Sequence, residues 1–207
     1  MIFSLYNCEI SIDKGGISMV LETIFLSFLI GKLRGGKVRN LENLYIKGWY
    51  LFVLSFLLEI ISLLIVSRID GNLSKLIENN FFYIHIFIYL LLIIGLIMNF
   101  KETGFKITLF GAILNFLPLF LNKGKMPVSI KALKYSKLYT QLSLLDEGRI
   151  MTHTLADRGT RLVFLGDIIP ISKPYPFPKI ISIGDIFIGI GLFLLIQTYM
   201  KKRYYFR

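Results

Sequence analysis

The chain alternates between long apolar runs and short connections rich in lysine and arginine. Four runs, residues 51–67, 81–100, 107–121 and 180–200, contain almost no charged side chain. Roughly 20 apolar residues make a helix long enough to cross a bilayer, and a helix satisfies its own backbone hydrogen bonds in hydrocarbon. The pattern therefore predicts four membrane-spanning helices.

A fifth apolar run, residues 20–33, is shorter and carries Glu22. A helix of this length measures about 21 Å, which is short against a hydrocarbon core of about 30 Å. It either crosses with local thinning of the bilayer or enters the membrane and packs against its neighbours. We therefore predict an all-α, polytopic membrane helix bundle of about five spans.

Residues 1–18 do not read as a signal peptide, because they lack a basic start and a small-residue cleavage site. Lys14-Gly15-Gly16, shortly before Met19, matches the translation of a purine-rich ribosome-binding sequence. Our hypothesis is that translation starts at Met19 and that residues 1–18 are a non-native extension. The alternative is a short, real extracytoplasmic tail.

The rest of the chain divides into three parts. Residues 19–121 hold the first four predicted spans, residues 122–179 form the longest non-spanning segment, and residues 180–207 hold the last span and a basic tail. Four prolines between positions 170 and 178 favour an extended lead into the last span. We also expect a polar loop over residues 68–80.

Positive charge is distributed unevenly between the two sides of the predicted bundle. The short connections and tail on one side carry eleven lysines and arginines, whereas the opposing short loop carries two, Arg68 and Lys75. The eleven are Lys32, Arg34, Lys37, Arg39, Lys47, Lys101, Lys106, Lys201, Lys202, Arg203 and Arg207. The positive-inside rule predicts that these eleven residues lie in the cytoplasm, which gives an N-out, C-in orientation. The 122–179 segment is then extracytoplasmic, although it carries ten further positive residues.

Hydropathy and net charge indicate which class of partner to expect. The mean hydropathy is +0.65 and the net charge is +11. In a soluble protein this charge would indicate nucleic acid, but here the basic residues flank apolar spans, so anionic lipid headgroups are the expected counter-charge. We predict a lipid bilayer and a membrane protein as partners, and no nucleic acid. Cys8 is the single cysteine and no Cys/His cluster has metal-ligand spacing, so we predict neither metal nor cofactor.

Polar residues that could carry chemistry concentrate between positions 152 and 161. They are His153, Asp157, Arg158 and Arg161. If residues 151–157 are helical, His153 and Asp157 lie four apart on one face, where a carboxylate can orient an imidazole. Arg161 could present its guanidinium fork to a phosphate or carboxylate. A purely structural turn, a ligand site and a catalytic site remain open.

The dipeptide Gly-Asp occurs twice, ending at Asp167 and Asp185. Asp185 lies about five residues inside the last span, where an ionised carboxylate requires compensation. We predict that Asp185 contacts an arginine, with Arg161 as the first choice, and that His153 lies beside this pair. Three glycines nearby, Gly184, Gly189 and Gly191, would let another helix approach closely.

Glu59 and His85 are the other titratable groups inside the predicted spans. Such residues are functional candidates by default. Two isolated positions are too few to predict a proton relay.

Several short motifs, in chain order, resemble one known family. They are Leu33-Arg34-Gly35-Gly36, Gly124-Lys125-Met126-Pro127-Val128, His153, Thr160-Arg161-Leu162-Val163-Phe164-Leu165-Gly166-Asp167-Ile168-Ile169-Pro170 and Ser182-Ile183-Gly184-Asp185. This pattern is similar to that of the bacterial membrane family called domain of unknown function 5317, over about residues 19–200. The resemblance implies a fold and a location but no reaction.

Two functional hypotheses follow. The first, which we favour, is an accessory or binding component that engages a lipid headgroup, a small anion or a partner protein at the outer face. The second is a small membrane-embedded enzyme or carrier that uses His153, Asp157 and Asp185.

Overall fold

The computed structural model describes residues 2–69 and 71–201, with the side chains of residues 18–69 and 71–201. Three residues of the predicted basic tail, Lys202, Arg203 and Arg207, lie outside this described part. The hypothesis that translation starts at Met19 rests on Lys14-Gly15-Gly16, whose side chains also lie outside the described part. It stays a prediction.

Helices dominate the described chain. The α-helices are α1 (Ile2–Leu33), α2 (Trp49–Arg68), α3 (Asn72–Met98), α4 (Thr103–Leu121), α5 (Ile130–Tyr135), α6 (Tyr139–Asp146) and α7 (Ile183–Lys201). The strands are β1 (Met126–Val128), β2 (His153–Leu155), β3 (Ile169–Ile171) and β4 (Lys179–Ile181), and short 3-10 turns cover Val38–Asn43 and Val163–Leu165.

Four helices, α2, α3, α4 and α7, are long and apolar enough to cross a membrane. Their apolar side chains point outward as well as inward: only 11% of the most apolar stretch of α2 is buried against the rest of the protein. Lipid tails can cover such an apolar surface, whereas its contact with water would be unfavourable. Helix α1 packs beside α7. The prediction of an all-α membrane bundle with about five spans is confirmed.

Glycines set the closest helix contact, between α4 and α7. A Cβ atom added at Gly104 would lie 2.7 Å from the carbonyl oxygen of Gly191, and one added at Gly111 would lie 2.5 Å from that of Gly184. Neither site has room for a side chain, as expected where small residues let helices approach. Gly189 faces α1 instead. The predicted packing role of these glycines is confirmed.

The short connections of the bundle meet at one end. Arg34 donates to Gln197 near the end of α7 at 3.2 Å, and the backbone amide of Lys37 donates to the carbonyl of Met200 at 3.0 Å. Lys47 and Asn99, from the first and third connections, exchange two hydrogen bonds of 2.8 and 2.7 Å. The predicted grouping of these connections is therefore correct, and the 122–179 segment lies at the opposite end.

The 122–179 segment is a folded unit and not a simple loop. Parallel pairing of β1 with β2 and antiparallel pairing of β3 with β4 fix its path. A small apolar core lies beneath α5 and α6, formed by Val128, Leu133, Leu144, Leu145 and Ile150.

Three local predictions are wrong. Residues 153–155 form a strand rather than part of a helix, because β1 offers them backbone partners. The proline-rich lead is a hairpin, in which Ile169 pairs with Ile181. The expected loop over residues 68–80 is mostly the first two turns of α3, which starts at Asn72.

Candidate functional site

The parallel pair β1–β2 brings His153 and Asp167 together, although they are far apart in the chain. His153 lies opposite Met126 in the register, and Asp167 forms a backbone bridge to Val128 on the other side of β1. The Nε2 atom of His153 lies 3.3 Å from Oδ2 of Asp167, and both side chains are largely buried.

Each partner of this pair is held in place. The hydroxyl of Thr152 lies 2.7 Å from Nδ1 of His153, and the amide of Asp167 donates to the carbonyl of Pro127 at 2.8 Å. A Cβ atom at Gly166 would lie 2.3 Å from that same carbonyl oxygen. The position before Asp167 therefore has no room for a side chain, so that glycine is required there.

The second Gly-Asp motif has a different role. Asp185 accepts from the backbone amide of Ser182 at 3.0 Å, and the Ser182 hydroxyl accepts from the amide of Asp185 at 2.9 Å. This reciprocal pair is a capping box at the start of α7. Asn115 of α4 adds a hydrogen bond of 2.8 Å to the same carboxylate and accepts from Ser182 at 2.7 Å.

The predicted contact between Asp185 and Arg161 is wrong. Within the described chain, the hydrogen-bond partners of Asp185 are Asn115 and Ser182, and no ion pair joins it to Arg158 or Arg161. The side-chain amide of Asn115 and the backbone amide of Ser182 donate to this carboxylate in place of an arginine. His153 lies beside Asp167 instead, which in turn is within electrostatic range of Asp185.

Asp157 closes an exposed turn. Its Oδ1 atom accepts from the hydroxyl of Thr160 at 2.7 Å and from the amide of Gly159 at 2.9 Å. These hydrogen bonds, with that from Thr160 the largest effect, lower the pKa of Asp157 below its ordinary value. Because residues 153–155 are extended, Asp157 is not stacked on His153 in the predicted manner.

Arg158 and Arg161 project from this turn into solvent. The backbone of Arg161 is clamped by the side chain of Asn122, which accepts from its amide at 2.9 Å and donates to its carbonyl at 2.8 Å. The structure therefore separates the predicted cluster into a buried pair, a helix cap and an exposed arginine turn.

Glu59 and His85 are brought together by the packing of α2 on α3. His85 is 4% exposed; its Nε2 atom lies 3.6 Å from Oε1 of Glu59, and its Nδ1 atom lies 2.7 Å from the carbonyl oxygen of Gly124. His85 is also within electrostatic range of His153. The sequence indicates both residues as candidates but not that they form a pair.

One polar cluster has no counterpart among the predicted sites. Lys179 of β4 donates to both carboxylate oxygens of Glu22 at 2.6 Å and to Ser18 at 2.8 Å. Tyr175 also donates to Glu22, and this hydrogen bond raises the pKa of Tyr175 to about 12. Glu22, the acidic residue within the apolar run 20–33, was the signal available in the sequence. Its partner Lys179 lies 157 residues away.

Among the described residues, no group of three or more His, Cys, Asp or Glu side chains is placed to hold a metal ion. The two imidazole–carboxylate pairs are His153 with Asp167 and His85 with Glu59.

Comparison with known proteins agrees with the resemblance seen in the sequence. A family model described as "Family of unknown function (DUF5317)" matches residues 43–197, which include every residue of both imidazole–carboxylate pairs. An uncharacterized protein of Thermotoga maritima is 30% identical over 171 residues, which cover 83% of this chain and 86% of the relative. No solved structure matches the chain.

Proposed function

The chain belongs to the family of unknown function DUF5317, and we propose that it is an accessory membrane component that binds a phosphate-type anion through its arginine turn, residues 157–161. The observation that carries this proposal is the presentation of Arg158 and Arg161. Their backbone is fixed by Asp157 and Asn122, while both side chains are exposed and form no ion pair with any described residue.

Arginine suits this role because its planar fork matches the oxygens of phosphate and carboxylate. A turn whose backbone is already ordered loses little further freedom when it binds. Phe164, close to the turn, is 60% exposed and adds an apolar surface beside the cations. This combination is typical of surfaces that meet lipid headgroups.

The charge of the whole 122–179 segment supports an anionic ligand. The segment has ten basic and four acidic residues. Three of the acids have internal roles: Asp167 pairs with His153, Glu147 with Arg149, and Asp157 closes the arginine turn. The remaining positive field would attract phosphate from lipid or from solution.

We propose the bacterial inner membrane as the location, with the arginine turn on the outer side and the basic short connections in the cytoplasm. The positive-inside rule supports this orientation, because those connections share one end of the bundle.

The alternative of an enzyme or carrier has less support. It requires His153, Asp157 and Asp185 in one site, whereas these residues take part in an ion pair, a turn and a helix cap respectively. The hydroxyl nearest His153 belongs to Thr152, which is 6% exposed and offers little access to a substrate.

The test is native mass spectrometry of the full chain, released from nanodiscs that contain equal phosphatidylglycerol and phosphatidylcholine. We expect Arg158→Gln/Arg161→Gln to retain severalfold less phosphatidylglycerol than the wild type. The control is Lys32→Gln/Arg39→Gln, which removes two charges at the opposite end. Equal retention by all three proteins would contradict a lipid ligand.

A second arm titrates inorganic phosphate into the protein in nanodiscs made only of phosphatidylcholine. Binding that depends on the two arginines would identify a soluble anion as the ligand. If the double arginine variant changes neither the retention of phosphatidylglycerol nor the binding of inorganic phosphate, the anion-binding proposal is wrong. Crosslinking from position 161 would then test for a partner protein.

A further inference from the structure

The pair Glu59 and His85 lies within the bundle and is separate from the arginine turn. Nδ1 of His85 lies 2.7 Å from the carbonyl oxygen of Gly124, which is a hydrogen-bond distance. A carbonyl oxygen only accepts hydrogen bonds, so Nδ1 must carry a hydrogen. This fixes what the other ring nitrogen can be.

In a neutral imidazole with a hydrogen on Nδ1, the Nε2 atom has a bare lone pair. That lone pair faces the carboxylate of Glu59 at 3.6 Å, an ion-pair distance rather than a hydrogen bond. An ionised carboxylate also presents only lone pairs, and two acceptors facing one another in a water-poor site repel. One additional proton removes this conflict, either on Glu59 or on Nε2.

We propose that Glu59 and His85 form a proton-binding site within the bundle, that this site holds one exchangeable proton either on the carboxylate or on Nε2, and that its loss releases the carbonyl of Gly124. The proton is taken from water and returned to water, so that no other reactant is involved. The ion pair and the neutral pair contain the same number of protons.

The link to Gly124 follows from the tautomers of His85. When the exchangeable proton leaves the pair, Glu59 is ionised and His85 keeps one ring hydrogen. This hydrogen is more favourable on Nε2, where it faces the carboxylate of Glu59. Nδ1 then presents a lone pair to the Gly124 carbonyl, and that hydrogen bond is lost. Gly124, with a φ of +78°, lies in the turn between α4 and β1. Its hydrogen bond to His85 therefore fastens the start of the 122–179 segment to α3.

The groups around His85 are limited in number. Glu59 faces it from α2, Tyr89 contacts its ring from α3 at 5.4 Å, and His153 acts on it from β2. His153 is itself paired with Asp167. The packed helix α4 has one ionisable residue, Lys106, near its opposite end.

The experiment uses the full chain, labelled with ¹⁵N-histidine, in nanodiscs from pH 6 to pH 10. The protein has two histidines, so a His85→Gln sample assigns the ring signals. At pH 6 we expect His85 to have a hydrogen on Nδ1, with the exchangeable proton either on Nε2 or on Glu59. Towards pH 10 its shifts should move to those of the Nε2–H tautomer.

Glu59→Gln is the matched variant, since its amide can donate to Nε2 but cannot release a proton. Its His85 should keep the Nδ1–H tautomer at every pH. Hydrogen exchange over residues 122–126, corrected for the intrinsic effect of pH, should rise severalfold at high pH in the wild type and not in the variant.

A wild-type ring in the Nε2–H form at pH 6 would overturn the proposal, and so would a titration identical in Glu59→Gln. A ring that never changes up to pH 10 would show that the proton is not exchangeable. Unchanged exchange over residues 122–126 would remove the link to the segment. If Glu59→Gln does not fold, infrared spectra of wild-type protein with and without ¹³C-glutamate show whether one of its seven glutamate side chains loses a proton over the pH range in which the His85 shifts change. Absence of such a glutamate signal would overturn the proposal.

Discussion

At the scale of single residues, a buried charged group is stabilised by a specific partner rather than by solvent. Lys179 of β4 is 5% exposed at its side chain and donates to Glu22, which lies on α1. Breaking a buried pair on one side leaves the other charge without a partner, which costs more than removing both.

We therefore expect Lys179→Met to lower the free energy of unfolding by about 3 kcal/mol. The double variant Lys179→Met/Glu22→Gln should recover part of this loss. Lys173→Met, at an exposed site of the same segment, is the control and should be close to neutral. Denaturant unfolding in mixed micelles measures all three, and an equal loss in single and double variants would argue against coupling.

The turn at Asp157 has a pH dependence with a defined sign. Because hydrogen bonds lower the pKa of Asp157 in the folded protein, its contribution is present above the ordinary value of 3.8 and is lost as the pH falls through the lowered pKa. Amide exchange at Gly159 should therefore accelerate, relative to an unstructured peptide, only below pH 3.8.

Asp157→Asn should weaken the acceptor at all pH values and remove this acid transition. A transition that persists in the variant would assign it to another group.

At the scale of elements, close helix contact and helix capping act at the same place. A Cβ atom at Gly184 would lie 2.0 Å from Oδ1 of Asn115 and 2.6 Å from the carbonyl oxygen of Gly111. The α4–α7 contact and the hydrogen bonds of Asn115 therefore both depend on a missing side chain.

Gly184→Ala should separate these two helices and destabilise the protein by about 2 kcal/mol or more. Gly189→Ala is the matched control on α7, because its nearest neighbour is the flexible end of Met19 at 3.2 Å. Thermal unfolding in lipid nanodiscs gives the comparison. Similar losses at the two sites would contradict a specific role of the close contact at Gly184, because the better helix propensity of alanine would stabilise both variants.

At the scale of the whole molecule, the orientation in the membrane decides which solution each polar site meets. We expect cysteines introduced at positions 35 and 102 in a Cys8→Ser background to be protected from an impermeant maleimide in whole cells. A cysteine at position 130 should be labelled, since it lies on the opposite end and Ile130 is 37% exposed. Labelling at position 35 with protection at position 130 would invert the orientation.

Much of the architecture could be predicted because its physical causes are local. Uninterrupted apolar runs determine the spanning helices, since hydrocarbon accepts a backbone only when it is hydrogen-bonded to itself. The roles of Gly184 and Gly191 were also foreseen, because only a missing side chain permits such close contact.

The partners of the polar side chains were decided by the tertiary structure. Asp185 signals only that compensation is needed, and the sequence does not reveal that Asn115 and Ser182 provide it. The helix considered for residues 151–157 does not form, because the strand at His153 exists only where residues 126–128 pair with it.

The sequence by itself determined that this protein is a helix bundle in a membrane, because hydrophobic length and charge are properties of contiguous residues. Only the tertiary structure decided that Glu59 faces His85, that His153 faces Asp167 and that the two arginines stand apart in solvent. The physical reason is distance along the chain: a hydrogen bond acts over about 3 Å, and packing chooses which distant residues come that close.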